Sequence, residues 1–322
     1  MTSIQGYCAP GFEGVRDAFA ANFATGFEVG ASVVLVLDGA TKVDLWGGHA
    51  DDRRREPWRQ DTLVNVWSTT KTMMFLVCLI LADRGELDLD APVSRYWPEF
   101  AANGKADVTV GHLMSHSAGL SGWSAPMTEA DLWDHEKCST LLAAQEPWWK
   151  PGTMSGYHAI TQGYLLGELV RRVTGQSLGT FFRKELAEPL GADFHIGTPP
   201  ICDSRLSLVI PAEAGLPPDL DPTSVAARTF LNPAMDARMA HTVEWRRCES
   251  PAANGHGNAR SVARVQSVLS HGGELDGKRL LSPERIGLMS ERQSKGRDRV
   301  VNYPMQWRLG YHQVFVRGKL PR

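Results

Sequence analysis

The residues with the clearest chemical meaning open an apolar run, "NVWSTTKTMMFLVCLILADRG", residues 65–85. Ser68 and Lys71 stand three positions apart, so they share one face if the helix starts at Ser68. A serine hydroxyl attacks a carbonyl only when a base takes its proton. Lysine is ordinarily a poor base for this, because its amine stays protonated up to about pH 10.4. Burial changes that: desolvation disfavours the ammonium and lowers the pKa by several units. The positive end of the helix dipole acts in the same direction and steadies a developing alkoxide. Met73–Ala82 would supply the apolar surroundings. A plainer reading of the same residues is also open. Ser-Thr-Thr is a good helix start, since short hydroxyl side chains cap free N–H groups, and Lys71 can snorkel to water.

The elements that must position this pair follow from the pattern around it. Residues 11–25 carry helical spacing, and two β-rich runs, 31–37 and 42–48, flank Asp38-Gly39-Ala40-Thr41, which predicts a hairpin. The helix of the opening run should stop at Gly85. Further helices are predicted near 109–116, 128–145, 156–174, 177–187 and 257–271, and "QWRLGYHQVFVRG" alternates as a strand. Strands near both ends with helices between them predict a mixed α/β chain with a helical insertion. The expected division is a single domain over 1–322, with an α/β body at about 1–87 and 251–322 and a helical subdomain at about 88–250.

Bulk composition narrows the function classes. The chain has 322 residues, 43% hydrophobic and 22% charged, with formal net charge −2. That balance gives no global attraction to nucleic acid or anionic membrane, so neither is expected as a partner. Five scattered cysteines without a C-x-x-C pair argue against a disulfide framework and fit a reducing compartment. The N-terminus has no basic stretch followed by an apolar one, and Met73–Ala82 is well short of the roughly 20 residues a membrane helix needs. A soluble, cytoplasmic protein without a membrane span is expected. No histidine or carboxylate spacing suits a metal, and no cofactor is expected. "GQSLG" matches the nucleophile elbow of another hydrolase fold, but helical residues precede it, so Ser177 is read as a helix N-cap. His116 is read as a histidine hydrogen-bonded within a loop.

Several ordered motifs together resemble the serine β-lactamase-related superfamily, which includes class C β-lactamases, D-alanyl-D-alanine carboxypeptidases and family VIII carboxylesterases. After S-x-x-K at Ser68–Lys71, the family's G-x-L-x-L-D-x-x-V segment is matched by Gly85–Val93, and its L-L-x-H-x-S/T-G-L segment by Leu113–Leu120. "WWKPGTMSGYHAITQGYLLGELV" resembles the second-motif region, with Tyr157 as its tyrosine. The resemblance runs from about 27 to 317. It implies a β-lactamase/transpeptidase-like α/β (α+β) fold, an antiparallel sheet flanked by helices. It further implies Ser68 as nucleophile, Lys71 as general base and Tyr157 as proton shuttle, with Ser68 contributing one oxyanion donor. Trp123, Trp148 and Trp149 fall in segments resembling the walls of the family's cleft, with ordinary core packing as the other reading.

Two departures shape the expectation. The β-lactamases carry Tyr-x-Asn, whose asparagine holds the substrate amide, whereas this chain has Tyr157-His158-Ala159. That favours simple esters, with His158 either substituting as a substrate donor or facing solvent. The third family motif, Lys-Thr-Gly or His/Trp-x-Gly, sits on a strand beyond the equivalent of Val314–Arg322, so the C-terminal strands are expected to be missing from this chain. Loss of one oxyanion donor costs on the order of 100- to 1,000-fold in turnover. The resulting expectation is a serine carboxylesterase that takes a small-molecule ester through an acyl-enzyme on Ser68. The alternatives are a β-lactam or D-alanyl peptide hydrolase, a transacylase of the same fold, and a catalytically silent scaffold.

Overall fold

Three antiparallel strands, Ile4–Cys8 (β1), Gly30–Leu37 (β2) and Ala40–Gly48 (β3), form the main sheet in the order β1-β3-β2. The computed structural model describes residues 2–211, 220–291 and 293–313. The β2–β3 hairpin forms where the sequence predicts it, with Leu37 opposite Ala40 and Asp38 and Gly39 both at positive φ, +49° and +75°. Such a turn matches the twist of the strands it joins. β1 carries no strand signal of its own, because its residues show no apolar alternation; it is held by pairing Ile4 with Gly47 and Cys8 with Val43. Alternation divides the sheet faces. Val33, Val43 and Leu45 pack with Phe19 and Phe23 of helix Glu13–Ala24 (α1). On the other face the helix Ala259–Ser270 docks, Arg260 forking onto the Asp44 carboxylate at 2.8 Å.

The helix Thr70–Asp83 (α2) is apolar all round and buries 12 of its 14 residues. A helix with no polar face has nowhere stable to lie except inside the core. Around it come Val110–Met114 (α3), His135–Ala144 (α4), Thr161–Thr174 (α5) and Leu178–Phe182 (α6); α5 and α6 pack directly on α2. The helix predicted over 128–145 is in fact two pieces: a tight turn at Glu129–Trp133, then α4. Asp134 breaks it, leaving helical geometry so that its carboxylate can cap the Lys137 N–H. Ser177 caps α6 through the Thr180 N–H and donates its own proton to Glu249, which occupies it structurally.

Two other differences bear on the site. The helix predicted from residue 156 begins only at Thr161, leaving Ser155–Ile160 outside it. The predicted last strand is shorter: Pro304–Trp307 pairs with Ser294–Arg297 and the chain then turns. Gly310 makes that turn, with φ +84° and its backbone against the Phe75 ring where a Cβ would collide. The remainder of that predicted strand, 314–322, lies outside the described residues. Among the described residues, no helix is long and apolar enough to cross a membrane and no His/Cys/Asp/Glu group could hold a metal ion.

Candidate active site

The chain enters the site through a strained step. Trp67 has φ +46°, an unfavourable conformation for a bulky aromatic residue. It is held there by packing on Trp245, ring centroids 5.6 Å apart. Trp245 is itself anchored through its indole N–H to Asn65, 2.7 Å. Ser68 therefore sits in a tight turn, Trp67–Thr69, and the regular helix starts at Thr70 rather than at Ser68. Thr70 ties this corner to the chain at Gly255, accepting its N–H at 2.9 Å.

Lys71 is only 4% exposed. Its Nζ lies 3.2 Å from Ser68 Oγ, 2.6 Å from the Ala159 carbonyl and 2.9 Å from the Ala252 carbonyl. All three contacts are to formally neutral groups. A neutral amine has two N–H groups and one lone pair. In this geometry the Lys71 amine donates to all three oxygens; once neutral, with both hydrogens given to the carbonyls, it would turn its lone pair to the Ser68 hydroxyl. Burial pushes the Lys71 pKa below the ordinary lysine range, and the neighbouring Tyr157 acts against that shift. Gly163 of α5 makes the Ala252 contact feasible: a Cβ there would stand 2.6 Å from the Ala252 nitrogen, so only glycine allows the segment so close.

The Tyr157 hydroxyl donates to Ser68 Oγ at 2.7 Å, and its ring centroid lies 4.9 Å from Lys71 Nζ. One serine oxygen is thus flanked by a phenol and a desolvated amine, brought from segments 89 positions apart. The beta-lactamase family model matches residues 16–319. The chain belongs to the beta-lactamase family. Among its relatives, it is 38% identical to the esterase/beta-lactamase LipL of Mycobacterium tuberculosis, over 99% of this chain and 76% of that protein. A crystal structure of a family VIII carboxylesterase superposes with TM-score 0.90 at 45% identity, covering 96% of this chain and 83% of the other. A penicillin-binding protein homologue from Caulobacter crescentus gives TM-score 0.88 at 39% identity, with coverage of 96% and 83%. This places the chain in the β-lactamase/transpeptidase-like α/β fold expected from its motifs and supports a serine hydrolase of that fold.

Within this beta-lactamase-family chain, the structure groups Ser68, Lys71 and Tyr157 and separates them from the other expected site residues. His158 is fully buried and does not face solvent. Its Nε2 accepts the Leu120 N–H at 3.1 Å and its Nδ1 contacts the Gly156 carbonyl at 2.6 Å, so neither nitrogen is free for a substrate. Burial holds its pKa down to about 4, consistent with a neutral ring in that role. The expectation of His158 as a substrate donor is corrected: both ring nitrogens serve the backbone.

Trp123 is 3% exposed, donates to the Cys138 carbonyl and stands edge-on to Tyr164 in the helical core. Trp149, 7% exposed, donates to the Met154 carbonyl and packs edge-on to His158 beneath Gly156. Core packing, the second reading of these tryptophans, describes both. The aromatic side chain that does stack on Tyr157 is Trp307, with ring planes 6° apart. Nothing local in "YPMQWRLG" marks it, because the contact is made only by the fold.

Proposed function

We propose that this chain hydrolyses carboxylic esters through an acyl-enzyme on Ser68. The observation that carries the reading is Ser68 Oγ lying between Lys71 Nζ, 3.2 Å, and the Tyr157 hydroxyl, 2.7 Å. Lys71 takes the Ser68 proton as Oγ bonds to the ester carbonyl carbon. Collapse of the tetrahedral oxyanion breaks the bond to the leaving alkoxide, which receives a proton through Tyr157. Water then attacks the acyl-enzyme, releases the carboxylic acid and restores the serine hydroxyl. Esters are favoured over β-lactams because the position that would hold a substrate amide is Ala159, a buried methyl whose carbonyl is already engaged by Lys71. The LipL relative named esterase/beta-lactamase and the family VIII carboxylesterase neighbour support the same class.

The test is turnover of short p-nitrophenyl esters beside nitrocefin, with fluorophosphonate labelling of wild type and Ser68→Ala. Ester turnover and labelling that both vanish in Ser68→Ala are expected. Nitrocefin turnover exceeding ester turnover moves the substrate class to β-lactams, and a folded wild type that is never labelled removes the enzyme reading.

A further inference from the structure

Tyr157 lies in Ser155–Ile160, outside the regular helix, so something else must fix its reach. Three successive amide groups are held from other parts of the chain. The Gly156 N–H donates to the His116 carbonyl at 3.0 Å, the Tyr157 N–H to Asp298 Oδ1 at 3.0 Å, and the His158 N–H to His116 Nδ1 at 3.0 Å. Asp298 is 1% exposed and stands in the turn of the C-terminal hairpin, 141 positions from Tyr157. Its other oxygen accepts the Trp307 indole N–H at 3.3 Å, and the Trp307 ring runs parallel to that of Tyr157 in an offset stack, centroids 6.2 Å apart. The N–H groups of Val300 and Val301 also donate to Oδ1, at 2.9 and 3.1 Å, holding the carboxylate itself in place.

We propose that Asp298 is a positioning residue for the Ser68 reaction, one carboxylate fixing both the backbone root of Tyr157 and the indole stacked in parallel offset beside its ring. It touches neither Ser68 nor a substrate and acts through the tyrosine. A carboxylate suits the task because it offers two acceptor oxygens in a fixed fork and no donor. An asparagine can satisfy the Tyr157 N–H or the Trp307 N–H, and not both. The inference rests on Tyr157 being the proton shuttle of the proposed hydrolase.

The test is a double-mutant cycle of Asp298→Ala with Tyr157→Phe, read by the rate of fluorophosphonate labelling at Ser68 and by kcat and KM for a p-nitrophenyl ester. Asp298→Ala is expected to slow labelling and lower kcat by about 10- to 100-fold with KM nearly unchanged. In the Tyr157→Phe background the same change should cost less than about twofold, since no shuttle remains to be positioned. Asp298→Asn is expected to fall between wild type and Asp298→Ala, and it carries the same cycle if the alanine variant does not fold. An equal loss in both backgrounds makes Asp298 merely structural and overturns the inference, as does full activity of a folded Asp298→Ala. The ester reading fails separately. A wild type that labels well but turns over no ester leaves the positioning role measurable by labelling, and a wild type that never labels overturns both.

Discussion

Two buried lysines in this chain make a natural comparison. Lys71 and Lys105 are 4% and 0% exposed. Each gives hydrogen bonds to two backbone carbonyls, Ala159 and Ala252 for Lys71, Ala102 and Gln145 for Lys105. Each also sits near an aromatic ring, Tyr157 at 4.9 Å and Phe100 at 5.5 Å. Burial lowers both pKa values, that of Lys105 to about 8, with Glu146 opposing. The difference is what faces the remaining position on nitrogen. Lys71 meets the hydroxyl of Ser68; the two bonds of Lys105 join Ala102 to the end of α4 at Gln145. A desolvated amine is therefore common to both places, and only Lys71 has a serine hydroxyl within reach, the partner the proposed base needs.

The largest expected effect breaks this comparison directly. Lys71→Met should lower ester kcat/KM by about 1,000-fold, while Lys105→Met stays within about twofold of wild type. Equal losses would mean that burial alone, without the serine, explains the defect. The pH profile sharpens the same point. In the proposed mechanism Lys71 acts as the uncharged amine, so activity should rise with pH through its pKa, with a midpoint below the ordinary lysine range because desolvation lowers it. An acid limb at the same place in Lys71→Met would assign it to another group.

Tyr157→Phe comes next, with an expected loss of about 100-fold in kcat and little change in KM. This phenol contacts Ser68 at 2.7 Å, whereas the aromatic neighbour of Lys105 is a phenylalanine without a hydroxyl. A third buried base extends the contrast to stability. His158 is held near 4 in the folded chain, against about 6.5 when unfolded. The unfolded chain then binds the proton more readily, so this stability is present above about pH 6.5 and is lost as pH falls toward 4. Urea unfolding should show about 2 kcal/mol less loss between pH 7 and pH 5 in His158→Gln than in wild type.

The smallest effect concerns the carbonyl that holds Lys71. Gly163→Ala should displace Ala252 and reduce turnover about tenfold, alongside about 1–3 kcal/mol of overpacking cost. Normal turnover with an intact fold would show that the Ala252 carbonyl is dispensable.

The parts of the molecule legible in the sequence are those where chemistry and periodicity are local. The S-x-x-K spacing, the uniformly apolar α2 and the Asp38-Gly39 turn each carry their signal within a few residues. β1 carries none, since its strand geometry comes from pairing with β3 rather than from its own pattern. The predicted helix over 128–145 ignored Asp134, whose short carboxylate prefers to cap rather than continue a helix. Trp123 and Trp149 illustrate a different limit. A tryptophan near a motif has the same local signature whether it lines a cleft or fills a core, and only its neighbours decide.

By itself the sequence determined the serine–lysine spacing and the apolar helix that removes water from the amine, because a three-residue spacing and an unbroken apolar run act over one or two turns. Tertiary structure alone decided that Ala159 and Ala252 turn their carbonyls onto Lys71, that His158 spends both nitrogens on the backbone, and that Asp298 reaches across to Tyr157. Those contacts join residues far apart along the chain. Their geometry depends on how closely glycine-bearing helices and the C-terminal hairpin pack, which no local pattern encodes.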